Sequence, residues 1–227
     1  MGLIKWIGDQ ERNLRAYYNT DLSTPENRRR AQIYNLWFDH AILRKFWTNF
    51  FPVADGVYRS NQPTHQRFEK LKEMGITSVL NLRGAGGAAH YLVEEESCRM
   101  LGLDLVNVNL NARTAASSEE ILQVIEAFRT IERPFVMHCK SGADRAGFAA
   151  AIYLFVIEGR PLSEARKMLS AKYIHFKWTK TGVLDHIFDL YEARNDLSSI
   201  SFEDWIASEY DYRAVQKEFL EKKKPIF

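Results

Sequence analysis

The sequence predicts an α/β fold with a central, mostly parallel sheet flanked by helices, and three observations carry that expectation. From Val57 onward, short apolar runs alternate with helical stretches, the rhythm of strand and helix in turn. The apolar run PFVMHC ends at a glycine-bearing loop. The segment leaving that loop, GFAAAIYLFVIEG, is apolar almost all round, as a helix central to the packing must be.

The elements follow in order. After a polar start, Ser23-Thr24-Pro25-Glu26 supplies a cap, a first-turn proline and an early acid, so a helix begins there. Along it Ile33, Leu36, Trp37, Ala41, Leu43 and Trp47 fall near helical spacing, interleaved with Arg28, Arg29, Arg30, Arg44 and Lys45. Two readings stay open for Arg28–Phe50: packing on the main domain, or peripheral contact with a membrane surface. The strand VYRS comes next, then a helix over His65–Met74 and the buried strand ITSVLNL. A helix near Leu92–Met100 leads to the strand LDLVNVNL, and a helix over Ser118–Thr130 leads to PFVMHC. From Pro161 the chain is helical, with Leu169, Ile187, Leu190, Trp205 and Phe219 at hydrophobic positions. The expected organisation is an N-terminal helical extension over 1–50, an α/β domain over 51–195 and a helical C-terminal tail over 196–227.

Length and composition bound the chemistry. A chain of 227 residues with 46% hydrophobic and 26% charged residues can bury one sizeable core without a staple. A net charge of +2 gives no global case for a nucleic-acid partner. Cys98 and Cys139 are too few for a disulfide framework, and the start MGLIKWIGDQER lacks the apolar run of a signal peptide, so a reducing cytoplasm is the expected compartment. No run approaches the roughly 18 apolar residues of a membrane span, which leaves only peripheral membrane contact.

The informative segment is VMHCKSGADRAG, in which a strand delivers His138 and Cys139 to a loop and the next helix begins near Arg145. Loop amides of Lys140, Ser141, Gly142, Ala143, Asp144 and Arg145 can point inward as a nest beside the positive end of that helix, and both features favour an anion. The same field favours the thiolate form of Cys139, the nucleophilic form of a cysteine. Arg145 can fold back over the loop and grip two phosphate oxygens at once, which a lysine cannot do.

His138-Cys139-Lys140-Ser141-Gly142-Ala143-Asp144-Arg145 resembles the His-Cys-(five residues)-Arg signature of the protein tyrosine phosphatase superfamily. VYRSNQP followed by GITSVLNLRG resembles the entry to bacterial members of its dual-specificity branch. The resemblance covers roughly residues 51–195. It implies a phosphomonoester hydrolase acting through a phosphocysteine at Cys139, with no metal or other cofactor, on a phosphorylated protein, lipid or sugar. A strand-terminal cysteine can also be a small buried hydrophobe, but that reading explains neither the glycine nor the arginine. Zinc fits less well, because His138 and Cys139 are adjacent and no second pair stands at ligand spacing; His138 is instead expected to orient the loop from behind. The rival class is a catalytically weak module that binds a phosphorylated partner with the same loop.

Two features depart from the family pattern. Ala146 stands where a Ser or Thr often follows the signature arginine and assists departure of the cysteine. The general acid is usually an Asp on the loop after the preceding strand, yet here that loop reads NLNARTAASS and holds no carboxylate. Asp104 starts its strand and is expected at the far end of the sheet. Asp144 is the remaining candidate, since an Asp before the signature arginine resembles myotubularin-like and Sac-type phosphoinositide phosphatases; capping the next helix is its other natural role. Lys140, Arg83 and Arg113 are expected at the rim, where they would favour a polyanionic or headgroup substrate. Asn61-Gln62-Pro63 either lines the same mouth or forms a turn.

Overall fold

The computed structural model describes Tyr17, residues 21–35 and residues 47–223. Helix α1 (Pro25–Ile33) starts where its signals place it, with Pro25 in the first turn and the Thr24 side chain accepting from the Asn27 amide at 3.1 Å. Ala31 and Tyr34 pack with Ala89, and Arg28 pairs with Glu96 at 2.7 Å, so the described part of the N-terminal extension lies on the main domain. Leu36, Trp37, Ala41, Leu43, Arg44 and Lys45 lie outside the described residues, as does the middle of the stretch read for membrane contact, while Trp47 to Phe50 are not helical.

Five strands, β1 (Phe51–Ala54), β2 (Val57–Asn61), β3 (Ser78–Asn81), β4 (Asp104–Asn107) and β5 (Phe135–Cys139), form one sheet in the order β1-β2-β5-β3-β4. All neighbours are parallel except β1, which turns back antiparallel on β2. The expected α/β class with a mostly parallel sheet is therefore the one observed. Strand β1 has no clear sequence signal: it carries Pro52, which lacks an amide to donate, and such a strand is tolerated at an edge.

Strand β5 is buried throughout, which its unbroken apolar run anticipates. Its side chains alternate between the two faces: Phe135, Met137 and Cys139 join the larger core, and Val136 joins the smaller one on the opposite side. Helices α2 (His65–Glu73) and α3 (Ala89–Leu101) cover the smaller core through Phe68, Leu71 and Cys98. The larger core is covered by α4 (Ser118–Thr130), entered through a reciprocal cap between Ser117 and Glu120, and by α5 (Asp144–Ile152), which runs on into a wider turn over Tyr153–Ile157. A short helix α6 (Leu162–Ala165) precedes the C-terminal helices α7 (Val183–Leu197), α8 (Phe202–Ser208) and α9 (Tyr212–Lys222). The tail expected from residue 196 begins in the last turn of α7, and its Phe202, Trp205, Ile206, Val215 and Phe219 belong to the same core as β5 and α5.

Candidate active site

The parallel strands end on one edge of the sheet, and the loop that leaves β5 there closes into a cup before α5 begins. Cys139, 2% exposed, ends β5 at its base. The carbonyls of the next four residues are all tied outward. Lys140 O accepts from the Gln62 amide at 3.5 Å and Ser141 O from Asn49 Nδ2 at 3.2 Å; Gly142 O and Ala143 O both accept from Arg59 Nη2, at 2.7 and 3.0 Å. A peptide's N–H points opposite to its C=O, so carbonyls held outward leave the amides of Ser141 to Asp144 aimed into the cup. Gly142 makes this turn possible. Its φ is +71°, and a Cβ there would sit 2.6 Å from the Asn61 amide nitrogen.

Arg59, from the middle of β2, is the residue that the motif alone does not reveal. Its side chain is wholly buried; besides the two loop carbonyls it donates to Met168 O at 2.6 Å, and it lies 4.0 Å from the centre of the Tyr173 ring. Burial pushes its guanidinium down to about 10, opposed by the nearby Cys139, Tyr173 and Asp144, so it is still a cation at neutral pH. Asn49 braces the same loop and also donates to Tyr173 O at 3.0 Å. The available signal was a charged residue inside the apolar pattern of VYRSN, a placement that requires a buried partner.

Arg145 is the second residue of α5, and its Nη1 donates to Leu82 O at 3.4 Å. Behind the cup runs a polar chain. His138, wholly buried, bonds Glu94 through Nε2; Glu94 accepts from Gln62 Nε2 at 2.6 Å, and Gln62 Oε1 accepts from Arg83. The structure thus brings His138 and Arg83 together through Gln62 and Glu94, with Gln62 of the Asn61-Gln62-Pro63 segment serving as a link. Arg113 lies elsewhere on the rim: it lines a cleft of about 380 Å³ with Asp144, Ile174, Phe176, Thr179, Lys180 and Thr181. Lys140 is half-buried at the start of the loop.

Asp144 opens α5, but Ala143 holds the cap position and no side-chain capping bond forms there. The Asp144 carboxylate instead meets His175 Nδ1 at 2.8 Å, and Nε2 of the same ring meets Asp185 Oδ2 at 2.8 Å. Neither His175 nor Asp185 was marked by any sequence motif. Asp104 is exposed at the start of β4, the end of the sheet away from Cys139, as expected. The loop after β4 turns its Asn109 and Asn111 onto Glu120 Oε1, at 3.2 and 2.6 Å, and the other oxygen of Glu120 is occupied by the Ser117 amide. Ala146 is completely buried under the cup. Among the described residues no group of three or more His, Cys, Asp or Glu side chains could hold a metal ion, and no helix is long and apolar enough to cross a membrane.

The family model described as "Polymorphic toxin system, DSP-PTPase phosphatase" matches residues 53–159. The dual specificity protein phosphatase TpbA of Pseudomonas aeruginosa is 28% identical over 116 residues, which cover 49% of this chain and 48% of TpbA. The chain therefore spans about half the length of the curated relatives it matches. Among solved structures, crystalline P. aeruginosa TpbA aligns with a TM-score of 0.50 and 16% identity over 76% of this chain and 91% of TpbA. Tk-PTP in its active form aligns with a TM-score of 0.51 and 19% identity over 65% of this chain and 99% of Tk-PTP. These two alignments show the fold; the family-model match and the similarity to TpbA agree with the resemblance drawn from the signature, VYRSNQP and GITSVLNLRG.

Proposed function

We propose that this chain, whose residues 53–159 match a dual-specificity phosphatase family, is a metal-independent phosphomonoester hydrolase with Cys139 as nucleophile and Arg145 as phosphate clamp. The observation that carries this reading is the outward tethering of the carbonyls from Lys140 to Ala143 directly after Cys139, which makes an anion cup with a sulfur at its base. The sulfur attacks phosphorus as the bond to the leaving oxygen breaks, while Arg145 and the loop amides hold the remaining oxygens. Asp144 protonates the leaving oxygen, and water then cleaves the phosphocysteine and frees the thiolate.

The substrate is a phosphorylated protein, lipid or sugar. Arg113 and Lys180 in the cleft beside Asp144 favour a substrate carrying further negative charge. Phe176 and the Trp178 ring, 71% exposed and 4.8 Å from Phe176, favour an apolar group next to the phosphate. Both cysteines are free thiols, in keeping with a reducing, cytoplasmic compartment. Co-sedimentation with anionic vesicles at low salt tests the peripheral membrane reading of Arg28–Phe50, and absence of binding removes it.

The deciding experiment is hydrolysis of an aryl phosphate by the purified chain and its Cys139→Ser variant. The parent is expected to turn over, unaffected by EDTA, and the serine variant to bind vanadate without turnover. Near-normal hydrolysis by the serine variant, or EDTA inhibition relieved by zinc or magnesium, overturns the mechanism. Phosphate binding without turnover by the parent supports the weak binding module instead, a reading that Ala146 favours through the missing hydroxyl.

A further inference from the structure

We propose that His175 and Asp185 are positioning residues for Asp144: an imidazolium held between two carboxylates that fixes the Asp144 carboxyl group beside the cup and tunes it as the acid and base of the reaction. The proposal rests on the phosphatase reading above.

Hydrogen counting comes first. Both ring nitrogens of His175 face a carboxylate oxygen at 2.8 Å, and an ionised carboxylate can only accept. With both acids ionised, both nitrogens carry hydrogen, which makes the ring a cation. The ring is only 2% exposed, so water cannot replace either partner without opening the fold. Its backbone is fixed as well: the His175 amide donates to Ser170 O at 3.1 Å, and the preceding Ile174 adopts a left-handed φ of +61° that turns the chain inward. The two acids each stand in the first turn of a helix, Asp144 in α5 and Asp185 in α7, where the helix dipole stabilises negative charge.

The charge environment agrees. Burial alone would push the His175 ring down, but its hydrogen bonds to Asp144 and Asp185 outweigh that and raise it to about 9. Besides His175, Asp144 interacts electrostatically with Arg59 from β2 and shares its cleft with Arg113 and Lys180. His175 is the group among these that Asp144 touches directly through a side-chain hydrogen bond.

The arrangement suits a residue that must give and then take one proton. In the first step the Asp144 proton passes to the leaving oxygen, which keeps the electron pair of the broken P–O bond, and the carboxylate that remains accepts from the His175 N–H. In the second step that carboxylate takes a proton from water as the water oxygen bonds phosphorus, and the electron pair of the P–S bond returns to Cys139 as thiolate. The carboxylate left by the first transfer stays hydrogen-bonded to the imidazolium, which holds it in place for the second.

The test compares pH–rate profiles of the full chain, His175→Asn and Asp185→Asn on an alkyl and an aryl phosphate. For His175→Asn the alkyl rate is expected to fall by roughly 10- to 100-fold, more than the aryl rate, because the acid loses its orientation. The high-pH limb of the remaining activity is expected to move up by about one pH unit or more once the adjacent cation is gone. An equal loss on both substrates with an unmoved limb marks a purely structural role and overturns the inference. A second measurement needs no variant: the His175 ring resonances of the parent are expected to report a charged ring through pH 8, and ordinary titration near 6.5 also overturns it. If the parent hydrolyses neither substrate, the phosphatase reading itself fails; normal aryl hydrolysis with an unmoved limb defeats only the role given to His175.

Discussion

Arg59 Nη2 lies 2.7 Å from the carbonyl oxygen of Gly142, joining a buried guanidinium in the second strand to the loop that follows Cys139. The pair is separated by 83 positions in the chain, and through it the sheet, rather than the loop itself, dictates which way the loop's peptide groups face. One planar group spans Gly142 O, Ala143 O and Met168 O, so the cup is preformed before any anion arrives.

Arg59→Lys keeps the charge and removes the planar fork. A single ammonium cannot satisfy three carbonyls in that geometry, and each buried acceptor left unpaired costs about 1–3 kcal/mol. The expected outcome is a stability loss of about 2 kcal/mol or more in urea unfolding and vanadate inhibition weakened by roughly tenfold. Unchanged vanadate affinity in a folded variant would remove the organising role given to Arg59.

Gly142→Ala places a methyl group 2.6 Å from the Asn61 nitrogen and 2.7 Å from the Ser60 carbonyl carbon, at a φ of +71°. The loop must shift, at a cost of about 1–3 kcal/mol, and the amides lose their common focus. Turnover of an aryl phosphate is expected to fall at least about 100-fold, since misplacement of about 1 Å can have that effect. Gly86→Ala, where a Cβ meets nothing within 4 Å, serves as the control and should match the parent in kcat and Tm.

The two thiols should separate cleanly in alkylation. Burial, with smaller contributions from Glu94 and Asp104, pushes the Cys98 thiol up to about 12, which leaves it inert at neutral pH. Brief iodoacetamide treatment at pH 7 is expected to label Cys139, with protection by vanadate, and to reach Cys98 only after unfolding. Peptide mass spectrometry reads the outcome; native labelling of Cys98 ahead of Cys139 contradicts it.

Stability should depend on pH through His175. Its folded value of about 9 exceeds the ordinary 6.5, so folding takes up a proton between those limits. The stabilisation is complete below about pH 6.5 and is lost as pH rises through about 9, with a ceiling of about 3 kcal/mol. Urea midpoints measured at pH 6, 7.5 and 9.5 should fall more steeply for the parent than for His175→Gln. Parallel curves would show that the ring is not charged in the folded state.

Ala146 bears on the second chemical step. Without a hydroxyl next to Arg145, breakdown of the phosphocysteine is expected to be slow, so rapid mixing with an aryl phosphate should give a burst of phenol. Ala146→Ser should shrink the burst and raise the steady rate. A linear time course from the first turnover, its rate following the leaving group, counts against slow breakdown.

Much of this was legible along the chain because its cause is local. Apolar run, glycine and apolar helix lie within one stretch of residues, and Cys139 and Arg145 flank one loop, so the proposed nucleophile and clamp are read together. The start of α1 at Thr24-Pro25 follows from a side chain bonding backbone within three positions. Strand β1 was not legible, because Pro52 weakens its pattern and only the edge position in the sheet makes it a strand.

By itself, then, the sequence determined the α/β class and the strand–loop–helix around Cys139, and it supplied the proposed nucleophile and clamp, all from neighbours in the chain. Tertiary structure alone decided what surrounds them. Arg59 reaches Gly142 across 83 positions, Asn49 reaches Tyr173 across 124, and His175 reaches Asp144 across 31. The physical reason is that a buried cation, an amide or an imidazolium takes its meaning from the partner that replaces water. That partner exists only once the sheet and its covering helices have brought distant segments together.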